Sequence, residues 1–280
     1  MENKDHKPNY YLTFNIIIVL FLCFYVLYRM GWVAKNIALI ASPVLTPTLI
    51  PTPTITPSPT PVSNLSKNTQ QWLIALGAIL SVQNRESLDT LDCQIPLDVM
   101  KNQLLDAYWG VTDKKSAINT LEWLKNEGHS AEFRVSRAEL VRDMHDNDVY
   151  YQKSRKTLSD QEAKEYIKEL YVADFVWKYR KELATKNLMA WDYMRMVNVA
   201  RWSYSVGYIS ELEAWNYMYF AGVQLQKNYS SWKEIGDHYV LGRTYWQAST
   251  SHPNAEASLL WLNSYASSPW KKYAWNMSLN

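Results

Sequence analysis

Polar and aromatic side chains share one face of a helix that the sequence predicts between residues 189 and 205. At about 100° per residue, an arc of about 120° contains Trp191, Asp192, Arg195, Asn198, Val199 and Trp202. Such a face can hold a ligand between indole walls while charged groups orient it. It can equally be a structural network in which Asp192 pairs with Arg195 and the indoles enter the core. The residue pattern leaves both interpretations open.

The ligand-binding interpretation predicts a groove lined by Trp191, Asp192, Arg195, Arg201, Trp202, Trp215 and Arg243. An enzyme built around this groove would anchor an anionic substrate on arginine and use Asp192, His129 or Glu211 as acid or base. His129 and Glu211 could each have a structural role instead. An imidazole after Gly128 stabilises a helix carboxyl end, and an acid at position 211 stabilises a helix amino end.

Asp174 lies within the apolar stripe of a helix predicted over residues 160–186. The stripe consists of Ala163, Ile167, Leu170 and Trp177. A buried carboxylate requires a partner of opposite charge. We therefore expect this helix to be central, and Asp174 to pair with Arg195 or Arg201 on the helix that follows.

Motifs for metals, cofactors and nucleophiles are lacking. The histidines at 129, 145, 238 and 252 do not have a ligand spacing, and no Gly-rich phosphate loop or G-x-S-x-G elbow occurs. Two cysteines cannot form a disulfide framework, and Cys93 lacks a neighbouring base that would activate it. The sequence predicts no metal and no cofactor.

Composition and charge narrow the function classes further. Residues 65–280 contain 25 basic and 25 acidic side chains, which disfavours a nucleic-acid partner. The 280 residues include 13 Trp and 20 Tyr, which must be buried or functional, but only 8 Gly. So few glycines, with no proline between Pro96 and Pro253, argue against an all-β fold with many turns.

An uncharged apolar segment follows a short polar tail at residues 1–9. Residues 10–28 read YYLTFNIIIVLFLCFYVLY, long enough to cross a hydrocarbon core of about 30 Å. Tyr10, Tyr11, Tyr28 and Trp32 stand near its two ends, where aromatic rings favour the membrane interface. A cleaved signal peptide has a shorter apolar region. We predict a single transmembrane helix over residues 10–30.

A proline- and threonine-rich linker over residues 31–64 follows the predicted anchor. Seven Pro and six Thr lie between Pro43 and Pro61, a composition that favours extended polyproline II backbone. At about 3.1 Å per residue this spacer reaches roughly 60 Å. Such stalks are typical of exported domains, so we expect residues 65–280 to lie outside the cytoplasm.

Helix signals dominate residues 65–280. Capping boxes pair Ser136 with Glu139, Ser159 with Glu162, Ser210 with Glu213 and Ser231 with Glu234, and Thr112 is a further expected cap. Helices are predicted over 70–84, 97–108, 113–127, 137–146, 160–186, 189–205, 211–228, 232–247 and 255–267. The expected fold is all-α, a single helical domain of eight or nine helices.

Four ordered motifs within this region resemble the bacterial "domain of unknown function 1266" family. They are YWGVTDKKSAINTLEWLKNEGH (108–129), AWDYMRMVNVARWSYSVGYISELEAW (190–215), SSWKEIGDHYVLGRTYW (230–246) and SPWKKYAW (268–275). The resemblance covers roughly residues 72–275. It implies one α-helical domain and brings no established activity.

These observations predict a membrane-anchored helical module that binds a protein partner or a small anionic ligand. A hydrolase-like enzyme acting on an anionic substrate is the alternative. Most tryptophans fall on helix faces expected to be buried. Trp270 and Trp275 in the tail are the exceptions, and they could form a lid or close the groove beside Trp232 and Arg243.

Overall fold

The computed structural model describes residues 64–136, 171–172, 174–249 and 251–279. Every regular element in these ranges is a helix. No strand occurs in these ranges, which confirms the all-α class. No helix within them is long and apolar enough to cross a membrane. The tail at 1–9, the predicted anchor at 10–30 and nearly all of the 31–64 linker lie outside the described residues.

The helices are α1 (Lys67–Leu76), α2 (Ala78–Asn84), α3 (Val99–Ala107, π-helical), α4 (Lys114–Asn126), α5 (128–136), α6 (171–172 and 174–179), α7 (Met189–Ser205), α8 (Glu211–Asn228), α9 (Trp232–Gln247), α10 (Pro253–Ser264) and α11 (Pro269–Lys272).

Side-chain caps begin several of these helices. At α8 the predicted box is confirmed, because Ser210 Oγ accepts the Glu213 N–H and the Glu213 carboxylate accepts the Ser210 N–H. At α9 only half of the box forms. Ser231 caps Glu234, but the Glu234 carboxylate turns to Ser230 and Lys186.

The cap of α4 differs from the prediction by one residue. Asp113, not Thr112, accepts the Ser116 N–H at 2.8 Å, and Ser116 Oγ returns to the Asp113 N–H at 3.0 Å. Asp113 has the extended backbone that a cap requires. The predicted helix at 137–146 and the partners of the boxes at Ser136 and Ser159 lie outside the described residues.

Helix α7 occupies the centre of the fold. Thirteen of its 17 residues are buried, and it packs against α4, α8 and α9. Small residues permit this packing. A Cβ at Gly242 of α9 would lie 2.2 Å from the Cβ of Trp191. The central helix is therefore the one that carries the mixed polar and aromatic face.

The helix predicted over residues 160–186 is confirmed at 171–172 and 174–179, but its predicted end and its predicted buried face are wrong. Helix α6 ends at 179, and residues 180–188 form turns. Asp174 is exposed, while Phe175 and Val176 point inward. A helix that is apolar almost all round has no single preferred buried face, so the periodicity did not determine which side faces the core. Asp174 therefore does not form the predicted buried pair.

Four indole N–H groups fasten the carboxyl-terminal segment to the helices. Trp72 donates to the Ala274 carbonyl at 3.1 Å and Trp232 to Tyr273 at 2.7 Å. Trp270 donates to Ala75 and Trp275 to Tyr229, each at 2.9 Å. The rings also stack, with the Trp232 and Trp270 centroids 5.5 Å apart. Trp270 and Trp275 are thus buried core residues, neither a lid nor a closure beside Arg243.

Candidate functional site

Asp192 of α7 caps the amino end of α5 from across the fold. Its Oδ1 accepts the backbone N–H of His129 at 3.0 Å. Its Oδ2 accepts the backbone N–H and the hydroxyl of Ser130 at 2.9 and 2.7 Å. Gly128 permits this approach, because its φ is +54° and a Cβ there would lie 2.4 Å from Asp192 Oδ2. The carboxylate therefore satisfies helix donors that lie more than sixty residues earlier in the chain.

Arg195 neutralises Asp192 and fills a slot between indole rings. Its Nη2 lies 2.9 Å from both Asp192 Oδ1 and His129 Nδ1, and its Nε donates to the Trp191 carbonyl at 3.0 Å. The guanidinium carbon is 4.0 Å from the Trp191 ring centroid and 5.0 Å from that of Trp109. Because arginine only donates, His129 Nδ1 accepts here and the neutral imidazole carries its proton on Nε2.

The electrostatics keep Asp192 ionised in a dry environment. Burial raises the pKa of the Asp192 carboxyl, but the neighbouring His129 side chain and the charge of Arg195 outweigh burial and hold that pKa below its ordinary value. Only 2% of Asp192 is exposed. Both carboxylate oxygens are already bonded within the protein, so the geometry favours a structural role over proton transfer to a substrate.

Arg201, farther along α7, holds the loop between α2 and α3. Its side chain is fully buried. Nη2 donates to the carbonyls of Ser87 and Thr90 at 2.6 and 3.0 Å, and Nε donates to the Leu91 carbonyl at 3.3 Å. The planar guanidinium fork thereby satisfies three loop carbonyls at once.

Glu86 is the counter-ion of Arg201, with Arg201 Nη1 3.4 Å from Glu86 Oε2. Ser81 donates to the same oxygen at 2.8 Å, and Trp202 Nε1 donates to the other at 2.7 Å. Asn84 adds a further donor at 2.8 Å. Arg201 and Trp202 therefore belong to a network that fixes the loop after α2, separate in its bonding from the one at Asp192.

Arg243 and Trp215 have partners of their own. Arg243 Nη1 donates to Gln83 of α2 at 3.1 Å, and its Nε donates to Gln247 at 3.2 Å. Trp215 Nε1 donates to Glu211 Oε1 at 3.0 Å. The seven predicted groove residues are thus divided among separate bonding networks. The expectation of one groove shared by Arg195, Arg201 and Arg243 is corrected accordingly, because each guanidinium is satisfied by a different set of protein groups.

His129 is also placed differently from the expected helix stabiliser. It lies in the first turn of α5 rather than at the end of α4, with its ring 5.2 Å from that of Trp123. There it contacts Arg195 and lies 3.5 Å from Asp192 Oδ1. Glu211 begins α8 as expected.

A pocket of about 250 Å³ opens at Trp215, away from the Asp192 network. Residues that line it include Lys67 and Ile74 of α1, Asp89 and Leu91 of the loop, and Glu211 and Trp215 of α8. Its nine lining residues comprise three charged, three neutral polar and three apolar side chains. Glu211 and Trp215 are thus the two predicted site residues that the structure brings together at an opening.

The described part of the chain contains neither a metal-binding cluster nor an activated cysteine. No set of three or more His, Cys, Asp or Glu side chains is arranged there to hold a metal ion. Burial raises the pKa of the Cys93 thiol to about 12, despite the opposing charge of Arg201. Cys93 therefore remains a thiol at neutral pH.

Sequence reasoning missed Glu86, Ser81 and Ser130. Glu86 and Ser81 are buried, although Glu86 lies in a polar stretch that resembles a surface loop. The arginine that they bind, Arg201, is more than a hundred residues away in the chain. No local pattern marks such residues, whereas the Asp192–Arg195 pair was visible because helical spacing places both on one face.

Comparison with known proteins gives relatives without an established activity. Residues 104–275 match the family described as "Protein of unknown function (DUF1266)". The chain is 25% identical over 195 residues to the uncharacterized protein YbeU of Escherichia coli (strain K12), covering 68% of this chain and 77% of YbeU. It is 25% identical over 149 residues to the uncharacterized protein YbeR of the same organism, covering 51% and 57%. No solved structure matches.

Proposed function

Because this chain belongs to the DUF1266 family of proteins of unknown function, we propose a function from its own surface: a membrane-anchored helical interaction module. Its anchor is the apolar segment at residues 10–30 and its spacer is the linker at 31–64. The binding surface is the outer face of α10, and the partner that this face fits best is a second copy of the chain.

The observation that carries this proposal is the weakly charged outer face of α10, which exposes large apolar side chains at its carboxyl-terminal half. Leu260 is 68% exposed and Tyr265, directly after the helix, is 58% exposed. The helix contains one charged residue, Glu256, among twelve. A surface helix of a globular domain ordinarily presents charged residues to water. An outer face with a single charge and with a highly exposed leucine and tyrosine is closer to an interaction surface than to an ordinary solvated face.

The spacing on this face suits a helix of its own kind. Pro253, Ala257, Leu260 and Ser264 recur at intervals of four, three and four residues, which forms a seam along one side. An antiparallel pair centred between Leu260 and Trp261 sets Ala257 opposite the other copy's Ser264. These small side chains permit close approach. Such a two-fold contact is self-complementary.

The only charged residue of the helix lies away from the middle of the seam. Glu256 is near the amino end of α10, beside the seam rather than on it. The two-fold axis therefore places no charge against the leucines at the centre of the contact. This self-complementary seam is why a second copy is the occupant that we propose.

The arrangement of the charged residues favours a binding module over the hydrolase alternative. Asp192 uses both oxygens within the protein, and Nδ1 of His129 accepts from Arg195. Glu211 accepts the indole N–H of Trp215. None of the three groups stands free beside an arginine that could anchor an anion, which is the geometry a hydrolase of this type would use.

Self-association is tested with the full-length chain in mild detergent. Two differently tagged copies are co-expressed, and the fraction recovered together is compared for wild type, Leu260→Glu and Leu212→Glu. Leu212 on α8 is 45% exposed, so the second variant places the same charge elsewhere. We expect at least a tenfold loss of co-recovery for Leu260→Glu, since a buried unpaired carboxylate costs more than about 1.4 kcal/mol. Equal recovery of all three proteins would rule out α10 as the contact.

The anchor and its orientation are tested in intact cells. We expect the chain to stay in the membrane fraction after alkaline carbonate extraction, and added protease to remove residues 65–280. A chain released by carbonate would contradict the anchor. Protection of residues 65–280 in intact cells, with cleavage after lysis, would place the helical domain on the cytoplasmic side instead.

A further inference from the structure

The pocket at Trp215 is lined by three apolar side chains, called its floor below, and by three charged and three neutral polar side chains, called its rim. Ile74 and Leu91 are at least 92% buried, and Trp215 is 94% buried. All three line the opening. The Trp215 ring is held in place because its Nε1 donates to Glu211 at 3.0 Å. This floor can cover a small aliphatic or aromatic group.

Three charged groups stand around that floor. The carboxylates belong to Asp89 and Glu211, and the ammonium belongs to Lys67. Among the described residues, none of the three has an ion-pair partner within 4.0 Å. The rim thus offers both signs of charge, with the negative sign in excess. A ligand that matches it carries a cationic group and an anionic group together.

The walls of the pocket are preorganised by buried contacts. Arg201 donates to the carbonyls of Thr90 and Leu91, and Gln71 of α1 donates to the Asp89 carbonyl. The loop therefore keeps its position relative to α1 without a ligand. A rigid wall reduces the entropy that binding must overcome. The Arg201 network consequently supports this pocket although it does not line it.

We infer that this pocket binds a small zwitterion of the amino-acid class. The ligand's ammonium group contacts the carboxylates of Asp89 and Glu211, and its carboxylate faces the ammonium of Lys67. Its side chain covers Trp215 and Leu91. The volume of about 250 Å³ suits a ligand of this size rather than a drug-sized molecule.

Three matched probes test the ligand class by isothermal titration calorimetry on the full-length chain in mild detergent. L-leucine carries both charges, 3-methylbutylamine lacks the carboxylate and 4-methylpentanoate lacks the ammonium group. We expect leucine to bind at least about tenfold more tightly than either fragment, because each fragment loses one charge-assisted contact. The inference is overturned if leucine does not bind at concentrations up to about 10 mM, or if 4-methylpentanoate binds as tightly as leucine.

A second set of variants tests the residues. Glu211→Gln removes the charge but keeps an amide oxygen that can accept from Trp215, and we expect it to weaken leucine binding about tenfold. Asp237→Asn makes the same change on exposed α9 and should leave binding unchanged. Thermal unfolding checks that Glu211→Gln is folded. If it is not, Asp89→Asn replaces it, since the Asp89 side chain supports no described hydrogen bond. Unchanged leucine binding in a folded variant contradicts the assignment.

Discussion

Removal of the Asp192 carboxylate should destabilise the helical domain by about 3–4 kcal/mol. The change Asp192→Ala leaves the Arg195 guanidinium buried without its counter-ion, and loss of one member of a buried pair costs about 3–5 kcal/mol. It also removes the cap from the donors of His129 and Ser130, which by itself is worth about 1 kcal/mol. These terms overlap, and stacking on Trp191 still shields the guanidinium, so the lower half of the range is expected.

The assay is thermal and denaturant unfolding of the full-length chain, followed by circular dichroism. At about 2–4 °C per kcal/mol for a domain of this size, Asp192→Ala should lower Tm by about 6–16 °C. Asp237→Ala is the control. Its surface pair with Lys233 is exposed on both sides, so the expected loss is at most about 1 kcal/mol. A loss below about 1 kcal/mol for Asp192→Ala as well would refute the structural role.

A double-mutant cycle separates the charge pair from the cap. Arg195→Met removes the buried cation, so in the Asp192→Ala, Arg195→Met protein no charge is left unpaired. The double variant should therefore lose at least about 1 kcal/mol less than the sum of the single variants. Additive losses would mean that the two side chains act independently.

The same carboxylate predicts a pH dependence of stability. The folded-state pKa of Asp192 lies below its unfolded value, so the carboxylate stabilises the fold above the unfolded pKa. This contribution is lost as the pH falls through the folded-state pKa. The stability difference between wild type and Asp192→Ala should be constant above about pH 5 and shrink below about pH 4. A difference that grows in acid would contradict the sign.

Three further perturbations address other parts of the fold. Arg201→Lys should lower the free energy of unfolding by at least about 2 kcal/mol, because one ammonium cannot satisfy the loop carbonyls that the fork binds. The Cys93 thiol should react with a disulfide reagent at pH 8 only after unfolding, since its pKa is raised to about 12; rapid labelling of the folded chain would contradict this burial. Gly242→Ala should lower the free energy of unfolding more than Gly110→Ala, because a Cβ at position 242 would clash with Trp191. A Cβ at position 110 would meet open space, so the only cost there is backbone strain of about 1 kcal/mol from its positive φ. Equal losses would show that α9 can shift away.

Local sequence signals located most helices and part of their capping. The Ser210 box is confirmed because cap and box residue are three positions apart and need nothing from the rest of the fold. The cap of α4 is Asp113 rather than the predicted Thr112. Both residue types are good caps, and only the path of the chain decides between them. The family match was also visible in the motifs, because these motifs are contiguous segments of the chain.

The position of the charged side chains depended on tertiary structure. Helical spacing placed Asp192 beside Arg195, and this pair is confirmed. Spacing could not reveal that the carboxylate also caps α5, or that Arg201 binds Glu86, because those contacts join residues 62 and 115 positions apart.

The sequence by itself determined the helical class, several helix ends and the aromatic core, because these follow from interactions within a few residues. Only the tertiary structure decided that Asp174 faces solvent, that the three arginines serve separate networks and that a pocket opens at Trp215. The physical reason is that a uniformly apolar helix can bury more than one face, and a buried charge takes whichever partner the packing of distant segments brings within reach.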